Sequence, residues 1–223
     1  MTFKVQALLG GAALAAMALA STAAQAGVIT VLNPSFEIID AGGLPNGGCG
    51  AGCAYNVAEV PDWAGGEGSF QPGPSSGNFA YFNYIPDGVT VAYSNGAGFS
   101  QTVAATAVAG DTYTLTVDLG YRKDIGDPGS IALQIGGNTI VGTGAAPQGS
   151  GDWSTWTASY TATAADAGAP ITILLVGGGS QSDFDNVNLT AAPEASTWAL
   201  MLAGFGGIGA ALRSRRRPVA AVA

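Results

Sequence analysis

In Tyr113-Thr114-Leu115-Thr116-Val117-Asp118-Leu119 apolar and polar side chains alternate without a break. A period of two sends successive side chains to opposite faces of an extended chain, so such a segment buries one face only as a β-strand. The same alternation marks Trp156-Thr157-Ala158-Ser159-Tyr160-Thr161, Ile131-Ala132-Leu133-Gln134-Ile135 and Val187-Asn188-Leu189-Thr190. Residues 171–176 are apolar almost throughout, as expected of a central strand buried on both faces. Thr, Val, Tyr and Ile dominate these runs, and clusters of Gly, Pro, Asn and Asp separate them. No stretch within 27–190 has a helical period; 104–109 is too short and carries β-branched residues. Roughly nine or ten strands with turn signals every 8–12 residues predict a β-sandwich. No internal repeat is visible, and 41–54 and 65–77 read as Gly-rich loops.

Both ends stand outside that pattern. In residues 1–26, Lys4 supplies a positive start, 7–20 is an uncharged run of Ala, Leu, Met and Gly, and Ala24-Gln25-Ala26 is an A-x-A cleavage site. These three parts make a secretory signal peptide cut before Gly27. An uncleaved anchor is the alternative, but the run is shorter than the ~20 residues of a span. At the other end, 197–212 holds sixteen residues without a charge, and Arg213, Arg215, Arg216 and Arg217 follow. As a helix it covers about 24 Å of a ~30 Å hydrocarbon core, with Trp198 and the arginines at the interfaces. A single transmembrane helix is predicted there, its arginines cytoplasmic and the β domain outside, with 218–223 as a short tail. Gly204-Phe205-Gly206-Gly207-Ile208-Gly209 fits G-x-G-x-x-G, yet no strand precedes it and no βαβ unit surrounds it. Small residues at that spacing suit close helix contact in a membrane.

With the ends set aside, about 160 residues remain, enough for one domain with a real core. Of the chain's seven basic residues only Arg122 and Lys123 lie in it, against fourteen of the fifteen acids. So acidic a surface repels phosphate backbones and excludes nucleic acid as a partner. The chain has no histidine. The usual general base, the commonest metal ligand and any Ser-His-Asp or Cys-His arrangement are therefore absent. Cys49 and Cys53 form a C-x₃-C in a Gly-rich loop. In an oxidising compartment they are expected to form a disulfide closing a very small loop; a zinc site would lack two ligands.

Pro193-Glu194-Ala195-Ser196-Thr197-Trp198-Ala199, then Met201, Gly204-Phe205-Gly206 and the arginine cluster, resembles a PEP-CTERM sorting signal of the PEPxxWA subtype over residues 191–217. The resemblance implies recognition by an exosortase, a membrane-embedded cysteine protease that removes the tail, in bacteria that make exopolysaccharide. Pro193, Glu194, Trp198, Arg213, Arg215, Arg216 and Arg217 are the signal residues it assigns. Ala195 departs from the pattern, standing where a second Pro is usual. A plain single-span anchor has the same topology.

A second resemblance runs along residues 28–190. Asn33-Pro34-Ser35-Phe36-Glu37, Gly98-Phe99-Ser100-Gln101-Thr102-Val103, Gly110-Asp111-Thr112-Tyr113-Thr114-Leu115 and Asp185-Asn186-Val187-Asn188-Leu189 keep the order seen in galactose-binding-like jelly rolls, which include many carbohydrate-binding modules. The resemblance implies an all-β jelly-roll sandwich over 27–190. It also implies a structural Ca²⁺ held by Glu37 and Asp185, with Asp183 as a third ligand, a donor set that suits a hard cation.

Trp63, Trp156 and Tyr160 are expected in the core, and Tyr81, Phe82, Tyr84, Tyr121 and Trp153 near strand ends or Gly-rich loops. Exposed rings stack on sugars while neighbouring polar groups fix hydroxyls, which makes Tyr84, Gln101, Tyr121 and Arg122 the candidate ligand contacts. No pair of acids stands out in a hydrophobic surround, as glycosidase chemistry would require. The function read from the sequence is an exported, non-catalytic cell-surface or matrix protein, anchored in the membrane until an exosortase cuts it, with polysaccharide as the candidate ligand. A glycan-active enzyme using paired carboxylates is the alternative.

Overall fold

The computed structural model describes residues 26–47, 52–73, 81–124, 128–145 and 151–214. The expected signal peptide apart from Ala26, Cys49, and the cluster Arg215, Arg216 and Arg217 with the 218–223 tail lie outside the described residues.

The strands form two antiparallel sheets. Sheet A runs in the order β10 (Trp153–Thr161), β7 (Thr112–Gly120), β12 (Ser182–Ala192), β5 (Val91–Ser94), β4 (Gly68–Gln71) and β2 (Ala54–Tyr55), with β1 (Gly27–Ile29) also paired to β12. Sheet B runs β3 (Ala64–Gly65), β6 (Gly98–Thr106), β11 (Pro170–Val176), β8 (Ser130–Ile135) and β9 (Asn138–Val141). From β5 onward the chain passes back and forth between the sheets, as in a jelly roll. The fold is the all-β sandwich that the alternation predicts.

The period-two residues carry the interior. Tyr113, Leu115, Val117 and Leu119 of β7 meet Ile131, Leu133 and Ile135 of β8, Ile171, Ile173 and Leu175 of β11, and Phe184 and Leu189 of β12. Trp63 joins them, and Trp156 and Tyr160 pack against the same cluster. β11 departs from expectation. It is central in sheet B, but Ile171, Ile173 and Leu175 are buried while Val176 is 43% exposed. Thr172 and Leu174 on the far face are only half-buried, so this apolar strand is fully buried on one side.

β12 decides where the domain's chemistry falls. It pairs with β5 through Phe184 and with β1 from Leu189 onward. Between these partners its register against β7 shifts, at Asp185/Asn188. Asn186 takes φ 50 there, a left-handed conformation that Asn tolerates better than most residues. A bulge of this kind bends the strand and re-aims its side chains.

The tail forms α1 (Ala195–Ser214), which contains the whole apolar run. Among the described residues no helix is long and apolar enough to cross a membrane. Four glycines dilute the hydropathy of a run already short for a span.

Candidate functional site

Because Phe184 points inward, Asp183 and Asp185 point to the outer face of sheet A, and both are buried there. Val91 and Tyr93 of β5 face the same way. With Cys53, Phe70, Phe82 and Trp153 they form a second hydrophobic cluster, joined by Tyr55, Tyr81 and Ile85. Gly120 lets this layer lie flat on β7: a Cβ there would sit 2.7 Å from the Phe82 ring and 2.8 Å from that of Trp153.

The layer surrounds a cup of about 350 Å³ lined by Tyr55, Val57, Phe70, Tyr81, Tyr93, Asn95, Arg122 and Gln181. That volume lies in the range of small-molecule sites, and the mixture of apolar walls with a few polar groups is typical of them. The Arg122 guanidinium lies 4.2 Å from the centre of the Tyr81 ring and 5.8 Å from that of Phe70, a cation–π arrangement. Asp124 grips it through Nε at 3.0 Å and NH2 at 2.8 Å. NH1 of Arg122 donates to Oε1 of Gln181, so the Gln181 amide turns its Nε2 toward Asp183 and donates to Oδ1 at 3.0 Å.

Asp183 does not itself line the cup; it is fully buried behind two residues that do, bonded to Gln181 and opposite Tyr93 in register, with one oxygen engaged and the other, Oδ2, without a hydrogen-bond partner. Burial pushes its carboxyl up to about 7, against the opposing pull of Gln181 and Arg122. The Tyr93 hydroxyl donates to the carbonyl of Asn56 at 2.7 Å, and burial with the nearby Glu67 raises it to about 12. A buried carboxyl raised toward neutrality next to the residues of an aromatic cup is the kind of group that functional sites use for proton transfer.

Asp185, two residues on, belongs to a separate cluster. Its Oδ2 accepts from the amide of Asp87 at 2.9 Å and its Oδ1 from that of Asn186 at 2.7 Å. Burial drives the carboxyl up to about 8, aided by the charges of Asp87 and Asp118. Glu37 reaches the same turn, its Oε1 accepting from the amides of Val89 and Thr90, each at 2.7 Å. The fold thus brings Glu37 and Asp185 to one turn, 87–90, from distant parts of the chain. Asp183, by contrast, bonds Gln181 and takes no part in that turn. Among the described residues no group of three acids or thiols has the geometry to hold a metal ion.

Of the four ligand contacts expected, Arg122 lines the cup. Gln101 is spent elsewhere, its amide bonding the backbone of Leu32 and Asp62. Tyr84 is 47% exposed, and its carbonyl accepts from Trp153 Nε1. Tyr121 exchanges backbone hydrogen bonds with Gly151 and Asp152. Phe82 and Trp153 are buried, packed on each other at 4.7 Å, rather than presented to a ligand. Tyr55, Phe70, Tyr93, Asn95 and Gln181 line the cup without having been singled out. No single segment signals them, since they come from four parts of the chain. Cys53 is buried and among the described residues there is no free cysteine; its expected partner Cys49 is outside them.

Residues 27–190 match the HpiC1-like family, described as HpiC1 cyclase, and residues 191–217 match the PEP-CTERM protein-sorting motif. The sorting-signal resemblance is borne out over the same boundaries. No curated protein matches the chain. Among solved structures, a cyclase from Fischerella sp. TAU in complex with 4-(1H-indol-3-yl)butan-2-one is 26% identical, covering 75% of this chain and 98% of its own, with a TM-score of 0.58. The Stig cyclase Fisc from the same organism, in complex with (3Z)-3-(1-methyl-2-pyrrolidinylidene)-3H-indole, is 24% identical over 76% of this chain and 100% of its own, TM-score 0.58, a likeness of fold. The CBM22-1 xylan-binding domain from Paenibacillus barcinonensis Xyn10C is 11% identical over 77% of this chain and 97% of its own; its TM-score of 0.40 carries no argument about ligands.

Proposed function

The chain belongs to the HpiC1-like family over residues 27–190, and from that premise we propose that its β domain is an exported receptor for a small, ring-bearing ligand. The PEP-CTERM motif implies export and processing by an exosortase. A signal peptide over 1–26 and membrane insertion of α1 complete the proposed route, with the domain released to the cell surface or matrix.

One observation carries the ligand reading: four aromatic rings and the Arg122 guanidinium enclose the cup beside a buried carboxyl. Ring faces and a stacked guanidinium favour a flat ligand. The Fischerella cyclase that is 26% identical was solved with an indole compound, which supports an aromatic ring in preference to a sugar. Asn95, Gln181 and Arg122 would fix one polar substituent at the cup. Fluorescence titration of the exported protein with 4-(1H-indol-3-yl)butan-2-one, in parallel with xylan and galactan oligosaccharides, tests this. Saturable binding of the indole compound is expected. Saturation by an oligosaccharide alone would return the domain to the non-catalytic, polysaccharide-associated role.

Turnover is a second reading, favoured by the unpartnered Oδ2 of Asp183. Gln181, held by Arg122, donates to Oδ1, so the proton of the acid form belongs on Oδ2. On this reading a small shift of the lining residues Gln181 or Tyr93 would bring that proton to an electron-rich ring or a leaving atom in the cup. Asp183→Asn should bind the indole compound and turn nothing over.

A structural Ca²⁺ at Glu37 and Asp185 is also proposed, its remaining ligands being loop carbonyl oxygens and water. An all-oxygen set suits the ion, which when bound would supply positive charge to two carboxylates that now accept from backbone amides of the chain around them. The bridge between Cys49 and Cys53 remains a proposal of the same standing.

A further inference from the structure

The sorting motif and the expected signal-peptide cut meet at one end of the domain. β12 ends at Ala192 and α1 starts at Ala195, so Pro193 and Glu194 form the entire connection. Just upstream of Pro193, Leu189 to Ala191 are paired on both sides and Ala192 is paired to β7. Ala191 and Ala192 lie opposite Tyr113 and Thr112 of β7. Leu189, Thr190 and Ala191 lie opposite Ile29, Val28 and Gly27 of β1. Glu194 rests over the turn before β7, where a Cβ on Gly110 would be 3.9 Å from its Cγ and Cδ.

A protease groove binds its substrate as an extended chain with free backbone groups, often as an added strand. Residues 189–192 already have their partners in the sheet, so they cannot enter such a groove while paired. Just beyond them the chain is helical. We propose that β1 is a clasp over the exosortase site, and that cleavage near Pro193 waits for the end of β12 to fray from β1 and β7. This rests on the reading that an exosortase processes the tail and that a signal peptidase cuts before Gly27.

The clasp is built to open. β1 contributes three pairs, Gly27 and Val28 are exposed, and Ile29 is only partly buried. Strand ends of this kind open locally at small free-energy cost. On the signal-peptide reading, an uncut leader tethers β1 at Gly27 and limits the freedom gained on opening. Removing the signal peptide releases that end, which orders the two events: N-terminal cut first, C-terminal cut second. The second cut is ordinary acyl transfer. The enzyme's thiolate adds to a backbone carbonyl, the C–N bond breaks, and the amine left on the helix takes a proton. Water, or an amine or hydroxyl of an acceptor, then displaces the thiol.

The test is pulse–chase of the full chain in a host with a working exosortase, reading tail removal by intact mass. A flexible Gly/Ser linker of about eight residues inserted between Ala192 and Pro193 moves the site clear of the sheet. It should speed processing about fivefold or more, because fraying no longer limits the rate. Val28→Cys with Thr190→Cys locks a directly opposed pair and should slow processing about tenfold, reversed by reductant. Thermal melting of both variants at or above the wild-type midpoint shows that the domain is folded. A linker variant processed at the wild-type rate overturns the clasp. Failure of both wild type and linker variant to be cut overturns the exosortase reading itself, and the clasp with it.

Discussion

The two faces of sheet A are built from alternate residues of the same strands, yet they are opposite in character. The face toward sheet B buries Leu115, Val117, Leu119, Phe184 and Leu189 with no charged side chain among them. The outer face buries Phe70, Phe82, Tyr93 and Trp153 together with Asp183, Asp185 and Arg122. An orphaned polar atom in a protein interior costs about 1–3 kcal/mol. On the inner face only the neutral hydroxyl of Ser69, beside Ala92 in register, goes without a partner among the described residues; on the outer face an ionisable carboxyl, that of Asp183, bears the cost. Burial there opposes stability, and a pocket is the place where such opposition is tolerated.

Substitutions that act on one face and spare the other sharpen this contrast. The largest effect belongs inside. Leu115→Ala should lower unfolding free energy by about 3–4 kcal/mol in urea titration, by lost transfer energy plus a cavity, with ligand binding intact in the folded fraction. A loss under about 1 kcal/mol would mean that the interior is not the tightly packed side.

Next comes pH, which should register on the outer face alone. Asp183 rises from an ordinary value near 4 in the unfolded chain to about 7 in the fold. Below about pH 4 both states hold the proton, and its full contribution to stability is present. As pH rises further, the unfolded chain releases the proton while the fold retains it, so stability falls until the folded carboxyl ionises near 7. Asp185 adds a loss of the same sign that extends to about 8. Between about pH 5 and about pH 8 a fall of roughly 2 kcal/mol from Asp183 is expected. Asp183→Asn should remove that part and Asp183→Asn with Asp185→Asn should flatten the profile. A wild-type profile that rises with pH breaks the comparison.

Smaller is the effect of Tyr81→Ala, which takes away a ring facing both the ligand and Arg122. Binding of the indole compound should weaken about tenfold, ~1.4 kcal/mol, with little change in melting. Smallest is calcium: at about pH 8 excess Ca²⁺ should raise the melting midpoint by a few degrees through linkage, and Asp185→Asn should abolish the rise. No response to Ca²⁺ or to EDTA would leave Glu37 and Asp185 as hydrogen-bond acceptors for the 87–90 turn.

Much of the inner face could be read directly. The alternation in residues 113–119 names Tyr113, Leu115, Val117 and Leu119 as one buried row, and all four are buried together. The sorting signal was equally plain, since Pro193, Glu194, Trp198 and the arginines are consecutive in function and nearly so in sequence. The outer face was not legible. Asp183 stands in Ser182-Asp183-Phe184-Asp185, where period two assigns both acids to solvent. They are buried because the outward side chains of the neighbouring strands, Val91, Tyr93 and Phe70, and the loop residues Tyr81 and Phe82 pack on that side. Gln101 misled for the converse reason: a polar residue in an alternating strand offers no sign that two distant backbone segments have claimed its amide.

The division has a physical cause. Strand periodicity and the PEP-CTERM tail depend on residues near in sequence, so the chain by itself determines the sandwich and its sorting motif. The cup depends on Tyr55, Phe70, Tyr93, Arg122 and Gln181 arriving side by side from β2, β4, β5 and the loops flanking β7 and β12. So does the ionisation of Asp183, because desolvation is a property of what surrounds a carboxyl and not of the residues beside it in the chain. Strand order across sheet A sets those surroundings, and only the folded domain contains them.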